Sequence, residues 1–168
     1  MKNQLYLLFI FCILLIASCA VDDQCRSNRF VLMELGVYHV TYNDTTKIRT
    51  TVVRSGDSLT VKALKKDSIT GKVIYLDSIL YNNLKVNKLN LPLHKFENES
   101  MYEITFNTIK DTLTIVHENT DDYLSLECGC IKIHSIDTAF ITKHFADSIQ
   151  IINHKVNNVK AENIKIFK

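Results

Sequence analysis

Two cysteines and a histidine fall within the stretch Tyr123–Ile136, YLSLECGCIKIHSI: Cys128, Cys130 and His134. Thiolate and imidazole are donors for copper or zinc, so this set could hold such an ion if a further histidine arrived from elsewhere. On a strand, spacings of two and four carry the donors too far apart to converge easily, and no metal or other cofactor is assigned. The remaining histidines, His39, His94, His117, His144 and His154, are scattered without metal-ligand spacing and read as surface or internally satisfied residues. Hydrolytic signatures are missing as well: there is no G-x-S-x-G, no H-E-x-x-H, and no phosphate loop in a chain with four glycines. Glu97 and Glu99 read as a solvated turn, and Tyr38, Tyr42, Tyr75 and Tyr81 as strand residues at the edge of a core. No catalytic residue is assigned, and a non-catalytic structural or binding module is the leading expectation. The alternative is a hydrolase or metal-handling protein using Cys128, Cys130 and His134.

The elements that would position these residues are strands. Leu124, Leu126 and Cys128 alternate in one phase and Ile131 and Ile133 in the other, which predicts one half-buried strand with a bulge at Gly129. Cys130 then shares the outward phase of Lys132 and His134. Period-two alternation recurs through Val31–Val37, Tyr38–Tyr42 with the switch at Gly36, Leu59–Ala63, Tyr102–Phe106, Leu113–Ile115, Ile149–Ile151 and Ile164–Ile166. Val73–Leu76 and Ile79–Tyr81 are denser apolar runs of the kind found in mid-sheet strands. Pro92 belongs between strands or at an edge. Ile141 and Phe145, four apart, leave room for a helical turn or two within Thr138–Ala146. The pattern predicts an all-β, immunoglobulin-like sandwich, or a small partly open barrel, of about seven to nine strands.

Met1–Ser18 has the form of a processing segment: Lys2, then an uncharged apolar run from Leu5 to Ile16, then small residues. Ile16-Ala17-Ser18-Cys19 resembles the lipobox of bacterial lipoproteins, which implies cleavage before Cys19 and its lipidation with palmitate-type acyl chains. An ordinary secretory signal with a chance cysteine is the alternative. Residues 19–29 would form a lipidated tether and residues 30–168 one domain. Asp22-Asp23 faintly resembles a surface-export signal; a solvated linker with the protein on the periplasmic side of the outer membrane is the preferred expectation. Removing the 18 leader residues leaves 150, enough for one cored domain, with 19 basic against 18 acidic residues. Near-neutrality argues against nucleic acid as a partner. The expected partners are the membrane, through the lipid, and an envelope protein.

In an oxidising envelope, Cys25, Cys128 and Cys130 would give one bridge and one thiol. Side chains two apart on a strand are about 6.8 Å apart, whereas a disulfide needs about 3.5–4.5 Å between Cβ atoms, so Cys128 and Cys130 do not pair. Cys25 pairs with one of them. Cys128, in the phase of Leu124 and Leu126, is the expected partner.

Seven tripeptides share the form Asp-Ser/Thr-Xaa: those beginning at Asp44, Asp57, Asp67, Asp77, Asp111, Asp137 and Asp147. As structure, Asp closes a turn and Ser or Thr begins the next strand. They also resemble the O-glycosylation acceptor motif of Bacteroidota, which would make Thr45, Ser58, Ser68, Ser78, Thr112, Thr138 and Ser148 candidate acceptors, a minority of them modified.

The lipobox, Cys25, Leu91–Leu93 before Tyr102–Phe106, Cys128-Gly129, Lys143–Ile149 and the closing Ile164–Phe167 together resemble a family of small Bacteroidota outer-membrane lipoproteins known only as a domain of unknown function. The resemblance implies a β-rich cell-envelope protein with no assigned activity. Cys-Gly is its recurrent feature, and Cys130 stands beside it as an addition.

Overall fold

The computed structural model describes residues 29–43, 45, 48–53, 58–67, 69–126 and 128–168. The expected alternation does become strands, eleven among the described residues in place of seven to nine. In chain order they are β1 (Met33–Asn43), β2 (Ile48–Val53), β3 (Ser58–Lys66), β4 (Val73–Lys85), β5 (Lys88–Leu91), β6 (Glu99–Phe106), β7 (Ile109–Ser125), β8 (Gly129–Ile141), β9 (Ser148–Ile151), β10 (Lys155–Val156) and β11 (Glu162–Phe167). They form a β-sandwich of two packed sheets. One has the order β2-β1-β11-β9, with β5 also paired to β1; the other runs β10-β8-β7-β6-β3-β4. Every pairing between strands is antiparallel except β1 with β11.

The core lies between the sheets. Met33, Leu35, Leu89, Ile164 and Ile166 from one side meet Leu59, Val61, Ile104, Leu113 and Ile115 from the other, all fully or almost fully buried. Each such side chain contributes about 1.5–3 kcal/mol relative to leaving it in water. Met33, Leu35 and Val37 keep one inward phase across Gly36, and the irregularity in the pairing with β11 falls at Glu34 and Leu35 instead; the glycine itself has a steric reason. Gly36 is buried, and a Cβ there would run into the Glu162 carboxylate and the Tyr38 ring. The Tyr38 hydroxyl donates to Glu162 Oε1 at 2.5 Å over that bare backbone.

Four local expectations are corrected. Tyr123–Ile136 is not one strand with a bulge at Gly129. Tyr123 lies opposite Cys130 and Ser125 opposite Gly129, so the chain has reversed between them. Gly129 takes a φ of +70°, the Cys128 N–H donates to Ser125 Oγ at 3.1 Å, and Leu126 is 89 % exposed. A hairpin tip reproduces the alternation of a strand over so few residues, because both its arms alternate.

Thr138–Ala146 contains no helix. β8 runs to Ile141, and the N–H groups of His144, Phe145 and Ala146 donate to the Asp111 carboxylate at 2.9–3.0 Å. Those donors are thus engaged outside any local helical ladder.

The Asp-Ser/Thr tripeptides are not all turns. Asp67 does close one, accepting from the Ile69 N–H at 2.8 Å, and Ser58 and Ser148 begin β3 and β9. Asp77, Asp111 and Asp137 instead lie inside β4, β7 and β8. The dense apolar run in β4 is not mid-sheet either. β4 is the edge of the six-stranded sheet, and Val73, Ile74, Tyr75 and Ile79 are exposed.

Candidate functional site: a buried histidine pair beside a cationic cavity

β7 continues the inward row Leu113, Ile115 with His117, and β8 carries His134 diagonally across from it. The geometry depends on a register slip between Val116 and His117, where Asp137 is the extra residue on β8. His117 is fully buried and His134 is 4 % exposed, their rings meeting edge to face with centroids 5.1 Å apart. The alternation of the sequence places His134 outward with Cys130 and reads His117 as a surface or internally satisfied residue. The slip explains the miss, since an extra residue reverses which side chains face in.

Asn119 lies directly opposite His134, and its Oδ1 stands 2.6 Å from His134 Nδ1 and 3.0 Å from His117 Nδ1. Its Nδ2 donates to the Glu97 carbonyl at 2.9 Å, which fixes the amide orientation. Asn119 Oδ1 can therefore only accept, and both histidines must carry their proton on Nδ1. His117 Nε2 is then an acceptor and takes the Ser100 hydroxyl proton at 2.8 Å, while Ser100 Oγ accepts the His94 N–H at 2.8 Å. The chain of donors runs from His94 through Ser100 to His117, and both histidines converge on Asn119. Its one open end is His134 Nε2, an acceptor without a protein donor among the described residues.

Burial lowers the proton affinity of both imidazoles. For His134 the charges of His117, Lys95 and Lys132 act in the same direction and bring its pKa down to about 4. For His117, burial outweighs the opposing bond to Asn119. Both rings are neutral at neutral pH.

Two cavities flank the cluster. One of about 370 Å³ is bounded by Ser100, Tyr102, His94 and apolar residues of β3 and β4. The other, about 540 Å³, has His134 in its wall, with the 29–32 segment, Leu93, Lys95 and the start of β8.

Ser100, His117 and Asn119 repeat the hydrogen-bond order of a nucleophile, a base and its orienting group. Two features oppose catalysis. Ser100 is 6 % exposed, and the nearby backbone donor, His94 N–H, is occupied by the Ser100 oxygen itself, so it is not open to stabilise an oxyanion.

The sequence-assigned cysteines lie at the rim. Cys130 is an exposed free thiol, and Cys128 lies half-buried at the hairpin tip. Cys19 and Cys25 lie outside the described residues. Cys128, Cys130 and His134 do not form a ligand set: no group of three or more metal-binding side chains occurs among the described residues. Of the candidate acceptor hydroxyls, Thr45, Ser78, Thr138 and Ser148 are exposed, Ser58 and Thr112 are half-buried, and Ser68 lies outside the described residues.

Residues 58–168 match the model of a protein family described as a family of unknown function, DUF6452. The chain belongs to that family. The DUF6452 match takes in β3 through β11, hence both histidines, Ser100, Asn119 and the hairpin tip, and begins after β1 and β2. No curated protein and no solved structure matches the chain.

Proposed function

We propose that this DUF6452 member is a cell-envelope lipoprotein, anchored through Cys19 in the outer membrane with its domain on the periplasmic side, that works as a non-catalytic binding module. The observation that carries the binding reading is the hydrogen-bond chain that saturates Ser100, His117 and Asn119 and leaves one open acceptor, His134 Nε2, beside a cavity. Such a site can take a ligand, and its Ser100 hydroxyl is not free to attack one. The lipid anchor rests on the lipobox at Ile16–Cys19.

A Cys25–Cys128 disulfide would staple the tether to the domain. Supporting it, Arg29 donates from its guanidinium to the Cys128 carbonyl at 2.8 Å, so the chain four residues beyond Cys25 is already held at the hairpin tip. Glycans, if attached, would sit on the exposed acceptors Thr45, Ser78, Thr138 or Ser148; intact mass of the native protein reads this directly.

The second reading is an envelope hydrolase, favoured by the nucleophile-base-orienter order of Ser100, His117 and Asn119. A fluorophosphonate probe separates the two. A binding module leaves Ser100 unlabelled, and in vivo crosslinking of the lipidated protein captures an envelope partner. Labelling of Ser100 that is lost in His117→Gln would replace the binding reading with the hydrolase.

A further inference from the structure

The 540 Å³ cavity has a composition that narrows its ligand, and the argument deepens the binding-module reading and rests on it. Its size lies within the range of small-ligand sites, about 300–1,000 Å³. In its wall is a polar side chain more than nine-tenths buried, His134, whose Nδ1 proton is fixed on Asn119 and whose Nε2 lone pair is unmatched. An occupant with an N–H or O–H, or a metal ion, would match it.

Three cations line the same space: Arg29, Lys95 and Lys132. Asp121 pairs with Lys132 at 2.8 Å, and one Arg29 nitrogen is held by the Cys128 carbonyl. Lys95 has no ion pair among the described residues. The surplus of positive charge opposes a metal cation and favours an anion. The rest of the lining includes the apolar side chains of Val31, Leu93 and Ile131. An inorganic anion would leave these surfaces unused, and a fatty acid would leave His134 Nε2 without a donor.

We propose that this cavity binds the carboxylate end of an apolar peptide. The terminal carboxylate meets Lys95 and Arg29, a peptide N–H donates to His134 Nε2, and the apolar side chains pack on Leu93 and Ile131. Each of the three surfaces is then matched by one part of a single ligand.

The test uses the full chain in detergent and N-acetyl-Leu-Leu with a free carboxylate as probe. Calorimetry should give saturable binding with a Kd of about 1 mM or tighter. Converting the probe to its C-terminal amide should weaken binding by about tenfold or more, the effect of losing a charge-assisted contact. Lys95→Met, a change at an exposed position that leaves the core untouched, should do the same. The ¹⁵N resonance of His134 Nε2 should move on saturation with the acid and move clearly less with the amide at equal concentration. The proposal is overturned if the acid fails to bind, if the amide or Lys95→Met binds equally well, or if the His134 resonance does not respond. Tighter binding of decanoate would identify a lipid site instead, and displacement of the acid by millimolar phosphate with no dependence on the peptide side chains would leave a simple anion site. Any of these outcomes with Ser100 still unlabelled by fluorophosphonate removes only the ligand assignment; labelling of Ser100 removes the binding reading beneath it.

Discussion

Asp111 Oδ2 accepts the backbone N–H of Ala146 at 3.0 Å, joining residues 35 positions apart and closing the chain after β8 onto β7. The same carboxylate takes Thr142 Oγ1 at 2.7 Å and the N–H groups of His144 and Phe145 at 2.9 Å, and it is almost fully buried. Burial alone would raise its pKa, yet these bonds together hold it below the ordinary aspartate value of 3.8. Asp111→Asn replaces one acceptor oxygen with a donor facing N–H groups. Leaving buried donors unmatched costs about 1–3 kcal/mol each, so a loss of about 3 kcal/mol is expected. Urea denaturation checks it: the midpoint should fall at constant slope, and an unchanged midpoint would remove Asp111 from its anchoring role.

The histidine pair sets a pH dependence. Both imidazoles have folded pKa values below 6.5, so the unfolded chain binds more protons as pH falls. Stability is therefore fully present above pH 6.5 and is lost as pH falls towards about 4, where His134 also protonates in the fold. For His134 the loss is on the order of 3 kcal/mol across that window. Thermal melts from pH 7 to pH 4 should show it, and His134→Gln should flatten the slope. A melting temperature rising over this window on acidification would contradict the neutral, buried assignment.

Gly36→Ala places a Cβ against the Glu162 carboxylate and the Tyr38 ring. Either the strands part or Glu162 swings away, and overpacking of this kind costs about 1–3 kcal/mol. Tyr38, whose pKa is pushed up to about 12 by burial and then by its bond to Glu162, should titrate closer to 10 in the variant. Ultraviolet titration of tyrosinate measures that shift, and an unmoved titration with intact stability would show that the strands have room.

Proposed as the staple, the Cys25–Cys128 bond closes a loop of roughly 100 residues, worth about 4–5 kcal/mol in the chain-entropy account. Cys25→Ser and Cys128→Ser should lower the melting temperature equally, and the double variant should add little. Cys130→Ser should be close to neutral, its thiol being exposed and free. Non-reducing peptide mapping decides the partner; a Cys25–Cys130 peptide would transfer the bond to the other sulfur.

Cys19→Ala should abolish acyl labelling and release the protein from membranes, since the acyl chains are the anchor in this reading. Full membrane retention of the variant would count against the lipoprotein reading.

The sequence by itself determined that the chain is a β-sandwich, because period-two alternation with short turns leaves few other ways to bury Leu59, Val61, Ile104, Leu113 and Ile115. It also located Pro92 between strands, whereas the reason for a glycine at position 36, the Glu162 carboxylate and Tyr38 ring lying against it, came only with the fold. What it left undecided depended on which strand lies beside which. β4 is as apolar as an inner strand, and only its place at the sheet edge exposes it. The stretch around Cys128 alternates like a strand, and only the pairing of Ser125 with Gly129 makes it a hairpin tip. Asp111 has the local look of a turn aspartate, and its carboxylate is instead taken by a loop more than thirty residues later in the chain. His117 and His134 face inward together because one extra residue, Asp137, shifts the register between β7 and β8. A register shift changes every inward-facing residue beyond it while altering nothing in the local composition, so a histidine pair built on one is decided by the tertiary structure.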